Sequence, residues 1–326
     1  ARPVRLDGGR LSARGRLRDL FDVVLPWLPG TRRLREAIDA QAVVTGVLSG
    51  PADRLDAAFD ARLGAGELWG RPFESGLAQG RIERSERAVF ERAELRRGEG
   101  HAEASGWIGF LDPSPWQLEI AVAGADLSAL DLPPGRWGGT ASGTLSVSGS
   151  MDEPVLRFAA NGEAVVVGRL PVGSVQVGGA IERGRLRLTG TTPGVKFSGE
   201  AQTRGEMPFQ ARAELDVEDV TRFVPGGPPA GLRAKVTGEA SAEGALADLS
   251  RLRARVRLTE LRVGYGDFKV DNRDPIAVAV DRGRVEVESF TLQGVNTEFG
   301  MEGARAADGT LDLNAGGSLD LRLLAG

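Results

Sequence analysis

Along most of this chain apolar and polar residues alternate one by one. Trp116, Leu118, Ile120 and Val122 are interleaved with Gln117, Glu119 and Ala121. Leu145 and Val147 alternate with serines, and Leu156 and Phe158 flank Arg157. Val175 and Val177, Leu186 and Leu188, and Val195 and Phe197 continue the series, followed by Phe209, Ala211, Ala213, Leu215 and Val217. Arg251 to Leu258 reads RLRARVRL, arginines on one side and Leu252, Ala254, Val256 and Leu258 on the other. Ile276, Val278 and Val280, then Val285 and Val287, Phe299 and Met301, Leu311 and Leu313, and Leu319, Leu321 and Leu323 complete it. A period of two predicts strands with one dry and one wet face, as in antiparallel sheet. No helix-period segment long enough to cover such sheets lies between them.

The alternation is interrupted at regular distances. LDVEDVTRFVPGG, from Leu215 to Gly227, passes from strand to an Asp-led apolar pair at Asp219 and Val220, then breaks on Pro225, Gly226 and Gly227. VAGADLSALDLPPG (Val122 to Gly135) and GRLRDLFDVVLPWLPG (Gly15 to Gly30) repeat the event, and Leu319-Asp320-Leu321 begins a fourth copy. The markers Asp19, Asp126, Asp219 and Asp320 are 107, 93 and 101 residues apart. That spacing reads as a repeat protein: residues 1–45 as the end of one repeat with a short helical crossing, then β repeats over 46–135, 136–229 and 230–326. The absence of an initial Met and the stop within a repeat suggest a piece of a longer protein. Gly-Arg-apolar turns are expected at Gly80-Arg81-Ile82, Gly184-Arg185-Leu186 and Gly283-Arg284-Val285. A Gly-rich strand precedes each, near Gly46 to Gly50, Gly143 to Gly149 and Gly238 to Gly244. Ile82 to Arg97, rich in Glu and Arg, resembles an exposed helix, but its alignment with the other repeats favours strand.

Leu20, Phe21, Val24, Leu25 and Leu28 form an apolar helical stripe with Asp19 as N-cap, limited to a turn or two by Pro26 and Pro29. A second short helix is expected over Thr31 to Ala40, with Leu34 and Ile38 on one face. Such a segment either plugs the end of a core or touches lipid or a partner. At the junctions Leu20 with Val24, Leu127 with Leu130, and Val220 with Phe223 are expected to fold over the seam between repeats.

Composition narrows the chemistry. There are 46 glycines in 326 residues, about twice the usual share of roughly 7%, placed at the ends of alternating runs where turns need positive φ. Aromatics are only 6%, so the dry face is mostly Val, Leu and Ala. A net charge of −4 spread over both signs argues against nucleic-acid binding. With no cysteine there is neither a disulfide framework nor a thiolate metal site. His101 is the single histidine, which excludes His-based triads and multi-His metal sites. No GxSxG elbow, phosphate-binding loop or strand-GxGxxG-helix unit occurs, and Gly139 to Thr144 lacks the Lys of such a loop. The carboxylates are spread over wet strand faces. The sequence therefore offers no catalytic constellation and no cofactor site, and no apolar run reaches the ~18 residues of a membrane span.

GTLSVSGSMDEPVLRFAANG (Gly143 to Gly162), GAIERGRLRLTG (Gly179 to Gly190) and MPFQARAELDVEDVTRFVPG (Met207 to Gly226), followed by a Gly-rich restart, form an ordered succession. It resembles the TamB branch of the AsmA-like proteins of Gram-negative bacteria, over nearly the whole chain and best from about residue 120 onward. The resemblance implies an elongated all-β array of antiparallel strands curled into a taco-like hydrophobic groove. It implies a periplasmic protein held at the inner membrane, moving phospholipids toward the outer membrane, with an outer-membrane barrel-assembly protein as a partner. The alternating apolar residues named above would then line the groove. Periodicity alone leaves a second reading open, in which the same faces pack into closed β-sandwiches of a non-transporting scaffold or adhesin. A carbohydrate-active β-solenoid enzyme is a third.

Overall fold

The computed structural model describes residues 5–24, 38–51, 54–111, 113–129, 136–150, 152–223, 228–266 and 268–318. Among them the chain is all-β: 22 strands in antiparallel sheet, one short α-helix and two 3-10 turns. It divides into two compact units, residues 1–130, 140–161 and 180–183, and residues 131–139, 162–179 and 184–326.

In the first unit β1 (Arg5–Arg16) pairs with β2 (Ile38–Pro51), and β2 with β3 (Asp56–Leu68). The short β4 (Arg71–Phe73) folds back on the end of β3. The succession continues through β5 (Ser75–Glu83), β6 (Arg87–Arg97), β7 (Gly100–Gly109), β8 (Pro115–Asp126) and β9 (Trp137–Ser150). β10 (Pro154–Val167) and β11 (Leu170–Glu182) each have residues in both units. In the second unit β12 (Arg185–Thr192), β13 (Val195–Gln202), β14 (Pro208–Val217), β15 (Leu232–Ala245) and β16 (Asp248–Tyr265) pair in succession. The long β16 carries β17 (Phe268–Asn272) and β18 (Ile276–Asp281) end to end. β19 (Arg284–Ser289) pairs with β18 and β20 (Thr291–Gly294) with β17. Both then pair with β21 (Thr297–Arg305), which β22 (Leu311–Ser318) follows.

β17 with β18 is one strand interrupted at Arg273-Asp274-Pro275, where proline has no N–H for the ladder. Asn272 bridges the gap: its Oδ1 accepts from the Leu261 N–H at 2.6 Å, and its Nδ2 donates to the Thr259 and Asp274 carbonyls at 3.2 and 2.9 Å. β19 with β20 is likewise one strand interrupted at Phe290. On that count, and with β4 as an appendage, six long strands lead to each Asp-led turn: β2 to β8 to Asp126, β9 to β14 to Asp219, and β15 to β22 to Asp320. Asp320 itself lies outside the described residues. The boundary read at residue 46 falls inside β2, whereas those at 136 and 230 fall just ahead of β9 and β15.

Several local expectations are corrected. The helix α1 (Leu17–Val24) begins two residues before Asp19, which therefore lies in its first turn rather than at the N-cap; an anionic side chain is favourable there too. Ile38 to Ala40 open β2 instead of ending a second helix, because Ala40 and Ala42 alternate into buried positions at 4% and 3% exposure. Residues 31–37, with the rest of that expected helix, lie outside the described residues. Gly80 is not a turn but a buried position within β5, where a Cβ would lie 2.0 Å from the Val89 carbonyl oxygen. The hairpin turns four residues later, at Arg84-Ser85, with φ of 50° and 55°. Its counterparts are Arg183-Gly184 (50°, 70°) and Arg282-Gly283 (51°, 83°). Ile82 to Arg97 is accordingly strand, turn and strand.

Candidate functional site

Partners in an antiparallel ladder point to the same side of the sheet, so the registers can be read across the strands as rows. In the first unit four adjacent rows cross the eight long strands from β1 to β9 without a polar side chain. One runs Leu11–Gly46–Phe59–Gly80–Phe90–Gly106–Leu118–Val147 and its neighbour Ala13–Val44–Ala61–Ala78–Ala93–Ala104–Ile120–Leu145. The two flanking rows end in Trp116–Gly149 and Val122–Gly143. All six of the predicted lining residues on β8 and β9 thus share one face.

That face is partly filled. At Gly46, Gly80 and Gly106 a Cβ would approach a neighbouring backbone oxygen to 2.6, 2.0 and 2.0 Å. Glycine is required at these close approaches. Phe59 and Phe90, which flank Gly80 in the row, meet edge to face at 6.0 Å. At one end Phe110 turns inward and packs with Ala88, Ile82 and Phe90. Leu156 and Phe158 on β10 are half-buried on either side of exposed Arg157.

In the second unit one row crosses nine strands as Gly190–Phe197–Ala213–Ala240–Val256–Val278–Val287–Gly303–Leu313. Beside it runs Leu188–Gly199–Ala211–Ala242–Ala254–Val280–Val285–Arg305–Leu311. Val195, Leu215, Gly238, Leu258 and Ile276 make a third. Leu186 joins Ala201 and Phe209, Val217 joins Val236, and Phe299 and Met301 join Gly317 and Ala315. Val175 and Val177 on β11 are half-buried. The register thus brings the predicted lining residues of this unit's paired strands onto common rows. Their exposure differs: Ile276 and Val217 are buried at 2% and 4%, whereas Leu311 and Leu313 on β22 are 61% and 45% exposed.

Across these rows lies an apolar hollow of about 380 Å³. Ala211, Ala213, Ala240, Ala242 and Ala254 form its floor, and Leu186, Leu188, Phe197, Phe209 and Val256 stand around it. These side chains are half-buried, not sealed. No described side chain of the whole chain falls below 2% exposure, as the central residues of a filled core would. The hollow lies where two neighbouring rows are both alanine, Ala213–Ala240 beside Ala211–Ala242–Ala254. A larger depression of about 760 Å³ in the first unit has a different character. Arg10, Ser12, Thr45, Asp60, Gln79 and Arg81 line it together with Leu11, Gly46, Phe59 and Gly80, and Gln79 donates to Asp60 at 2.6 Å.

The opposite face is wet and paired in charge. On the second unit Arg187 meets Glu200 at 3.1 Å, Arg253 lies 3.6 Å from Glu243 and 3.3 Å from Asp281, and Arg255 meets Glu288 at 2.8 Å. Exposed pairs of this kind add little stability each, but they keep that face hydrated. His101 is exposed on β7.

The junctions are 3-10 turns, Leu127–Ala129 and Val220–Phe223. At the second, Asp219 accepts from the Thr221 hydroxyl at 2.6 Å and the Thr221 N–H at 3.0 Å. The hydroxyl first, and then the N–H, holds the Asp219 carboxyl below its ordinary range. Ser128 does the same for Asp126. The two turns bury different positions: Leu127 at 8% exposure in one, Thr221 at 4% in the other. Val220 and Phe223 are only half-buried, and Arg222 lies over the Phe223 ring at 4.6 Å while donating to the Pro193 carbonyl. The alternation missed Thr221; the shared Asp-apolar-Ser/Thr pattern at residues 126–128 and 219–221 was its signal. Leu20 is half-buried in α1, and Leu130 and the Val24 side chain lie outside the described residues.

Among the described residues no helix is long and apolar enough to cross a membrane, and no three His, Cys, Asp or Glu side chains are grouped to hold a metal ion. Comparison with protein-family models, curated proteins and solved structures finds no match for this chain.

Proposed function

We propose that the chain carries phospholipid acyl chains along its apolar rows, as a stretch of a bridge-like lipid-transport protein of the periplasm. The observation that carries this reading is the row from Gly190 to Leu313. It crosses nine strands without a polar side chain, yet none of its members is fully buried. Two sheets packed as a sandwich interdigitate their inner side chains, which would bury Phe197, Val256 and Val278 far more deeply. Half-exposure over so long a row favours an open groove over a closed scaffold core.

The energetics fit that role. Exposing an acyl chain to water costs about 0.8 kcal/mol per CH₂, or on the order of 12 kcal/mol for some sixteen carbons. An uninterrupted apolar row removes most of that barrier while the head group stays in water. Small aliphatic side chains line such a groove without filling it. The wet face keeps the sheet dissolved. Passage needs no reaction and no cofactor, only a track and a gradient or a partner that drives flow. The resemblance to the TamB branch of the AsmA-like proteins supports the same reading. It also supports attachment to the inner membrane and an outer-membrane barrel-assembly protein as partner.

Mass spectrometry of the purified chain after organic extraction tests the proposal. Stoichiometric phospholipid is expected; a lipid-free chain would overturn it. Leu188→Arg or Val287→Arg is expected to abolish lipid binding while lowering stability by no more than about 1 kcal/mol. Unfolding by several kcal/mol would assign these residues to a packed core.

A further inference from the structure

Three hairpins share an unusual turn. Arg84, Arg183 and Arg282 are 99 residues apart at both steps, and each takes the first position of its hairpin turn, a three-residue loop at Arg84 and a two-residue one at the others, at φ of 50°, 50° and 51°. Such turns favour Asn or Gly at that position, and a side chain like arginine costs about 1 kcal/mol more in the left-handed region. A residue type that returns to a strained position points to a use for its side chain.

The second unit suggests that use. The β18–β19 and β21–β22 hairpin tips touch there: a Cβ on Gly283 would lie 3.3 Å from the Ala307 Cβ. Arg282 stands on the first tip. Arg305 stands at the base of the second, in register between Val285 and Leu311. It is the one charged side chain within the apolar rows traced on either unit. Among the described residues neither guanidinium has an ion-pair or hydrogen-bond partner. The nearby carboxylates are engaged elsewhere, Asp281 with Arg253 at 3.3 Å and Asp308 with the Thr310 N–H at 2.9 Å. Leu311, the cross-strand neighbour of Arg305, is 61% exposed. Unpaired positive charge thus borders uncovered apolar surface.

We propose that Arg282 and Arg305 form a seat for a phosphate group whose attached alkyl chain lies along Val285, Val287, Leu311 and Leu313. This rests on the lipid-carrying reading and adds to it a selection for anionic phosphate head groups, held at the edge of the rows. Guanidinium groups suit phosphate oxygens through charge-assisted hydrogen bonds, and the adjoining aliphatic side chains supply the tail contact.

Calorimetric titration with three probes below micellar concentration tests the seat: dodecyl phosphate, dodecyl maltoside and inorganic phosphate. Dodecyl phosphate is expected to bind more tightly than the maltoside, and inorganic phosphate about a hundredfold more weakly than dodecyl phosphate. The Arg282→Gln/Arg305→Gln variant is expected to lose about tenfold for dodecyl phosphate alone, with Arg282→Lys/Arg305→Lys recovering part of the loss. Circular dichroism is expected to be unchanged, since both side chains are at hairpin positions without partners. If both amphiphiles bind equally and the Gln variant changes nothing, the seat is wrong and the lipid reading stands. If inorganic phosphate binds as tightly as dodecyl phosphate, the site is an anion site unconnected to the apolar rows. If neither amphiphile binds, the lipid reading fails and the seat fails with it.

Discussion

In the row Leu11–Gly46–Phe59–Gly80–Phe90 of the first unit, large side chains alternate with glycines; in Phe197–Ala213–Ala240–Val256 of the second, two alanines lie side by side. Both rows are apolar from strand to strand, but they fill space differently. In the first, neighbouring backbone closes on Gly46 and Gly80, and Phe59 meets Phe90 edge to face. In the second, Phe197 and Phe209 cover Gly190 and Gly244, an arrangement that shields glycine in sheets. The alanines between them border the hollow. In the first unit an alanine row, Ala61–Ala78–Ala93–Ala104, lies beside this ring-bearing row; in the second, alanines of two neighbouring rows align and leave a hollow. One strand plan therefore yields a face with rings in contact and a face with an apolar hollow.

The sharpest way to break this contrast is to add the same side chain to both. Gly80→Val in the first unit has no room for even a Cβ and is expected to destabilise by about 3 kcal/mol or more. Ala213→Val in the second is expected to change stability by less than about 1 kcal/mol, because the added methyls enter the hollow. Urea denaturation of the two variants checks both, and equal losses would erase the distinction. Truncation should give the converse with a smaller spread. Phe90→Ala removes a ring packed on Phe59 and the Phe110 cluster and is expected to cost about 2–3 kcal/mol. Phe197→Ala, at the wall of the hollow, is expected to cost about 1 kcal/mol. A Phe197→Ala loss as large as that of Phe90→Ala would mean that the hollow is as tightly packed as the first unit.

The smallest expected effect lies at a junction. The Asp219 carboxyl is held below its ordinary value, first by the Thr221 hydroxyl. A group whose folded pKa is lowered adds stability above the unfolded carboxylate range and loses it as pH falls through the folded value. Wild type should therefore exceed Thr221→Val in urea midpoint at neutral pH. The gap should narrow as pH falls below about 4. A gap independent of pH would show that the Thr221 hydroxyl stabilises the turn by a route other than the ionised Asp219 carboxyl.

The strands were legible because alternation is a local signal, and every long stretch of it among the described residues became strand, including Ile82 to Arg97 once its turn is placed; Leu319, Leu321 and Leu323 lie outside them. Less legible were features that depend on which residues lie opposite one another. Ala211 and Ala213 read as ordinary strand positions; only the register that sets them beside Ala240, Ala242 and Ala254 makes a floor. Arg305 ends a run of alternation, and its position between Val285 and Leu311 also depends on register. Gly80 misled because glycine serves two purposes, positive φ in a turn and close backbone approach in a strand. Thr221 was obscured because its hydroxyl is buried by bonding to Asp219, which no hydrophobic pattern records.

The openness of the second unit's apolar face is the central claim, and the chain's lack of cysteine makes it directly measurable. Single cysteines at Ala213 and Val256, on the apolar row, can be compared with one at Thr191 on the wet face. The measurement is the rate of modification by a bulky thiol reagent in the folded protein. An open face predicts rates within about tenfold of the Thr191→Cys control, slowed further by added phospholipid. Protection at Ala213→Cys and Val256→Cys that persists until global unfolding would contradict it and establish a closed core.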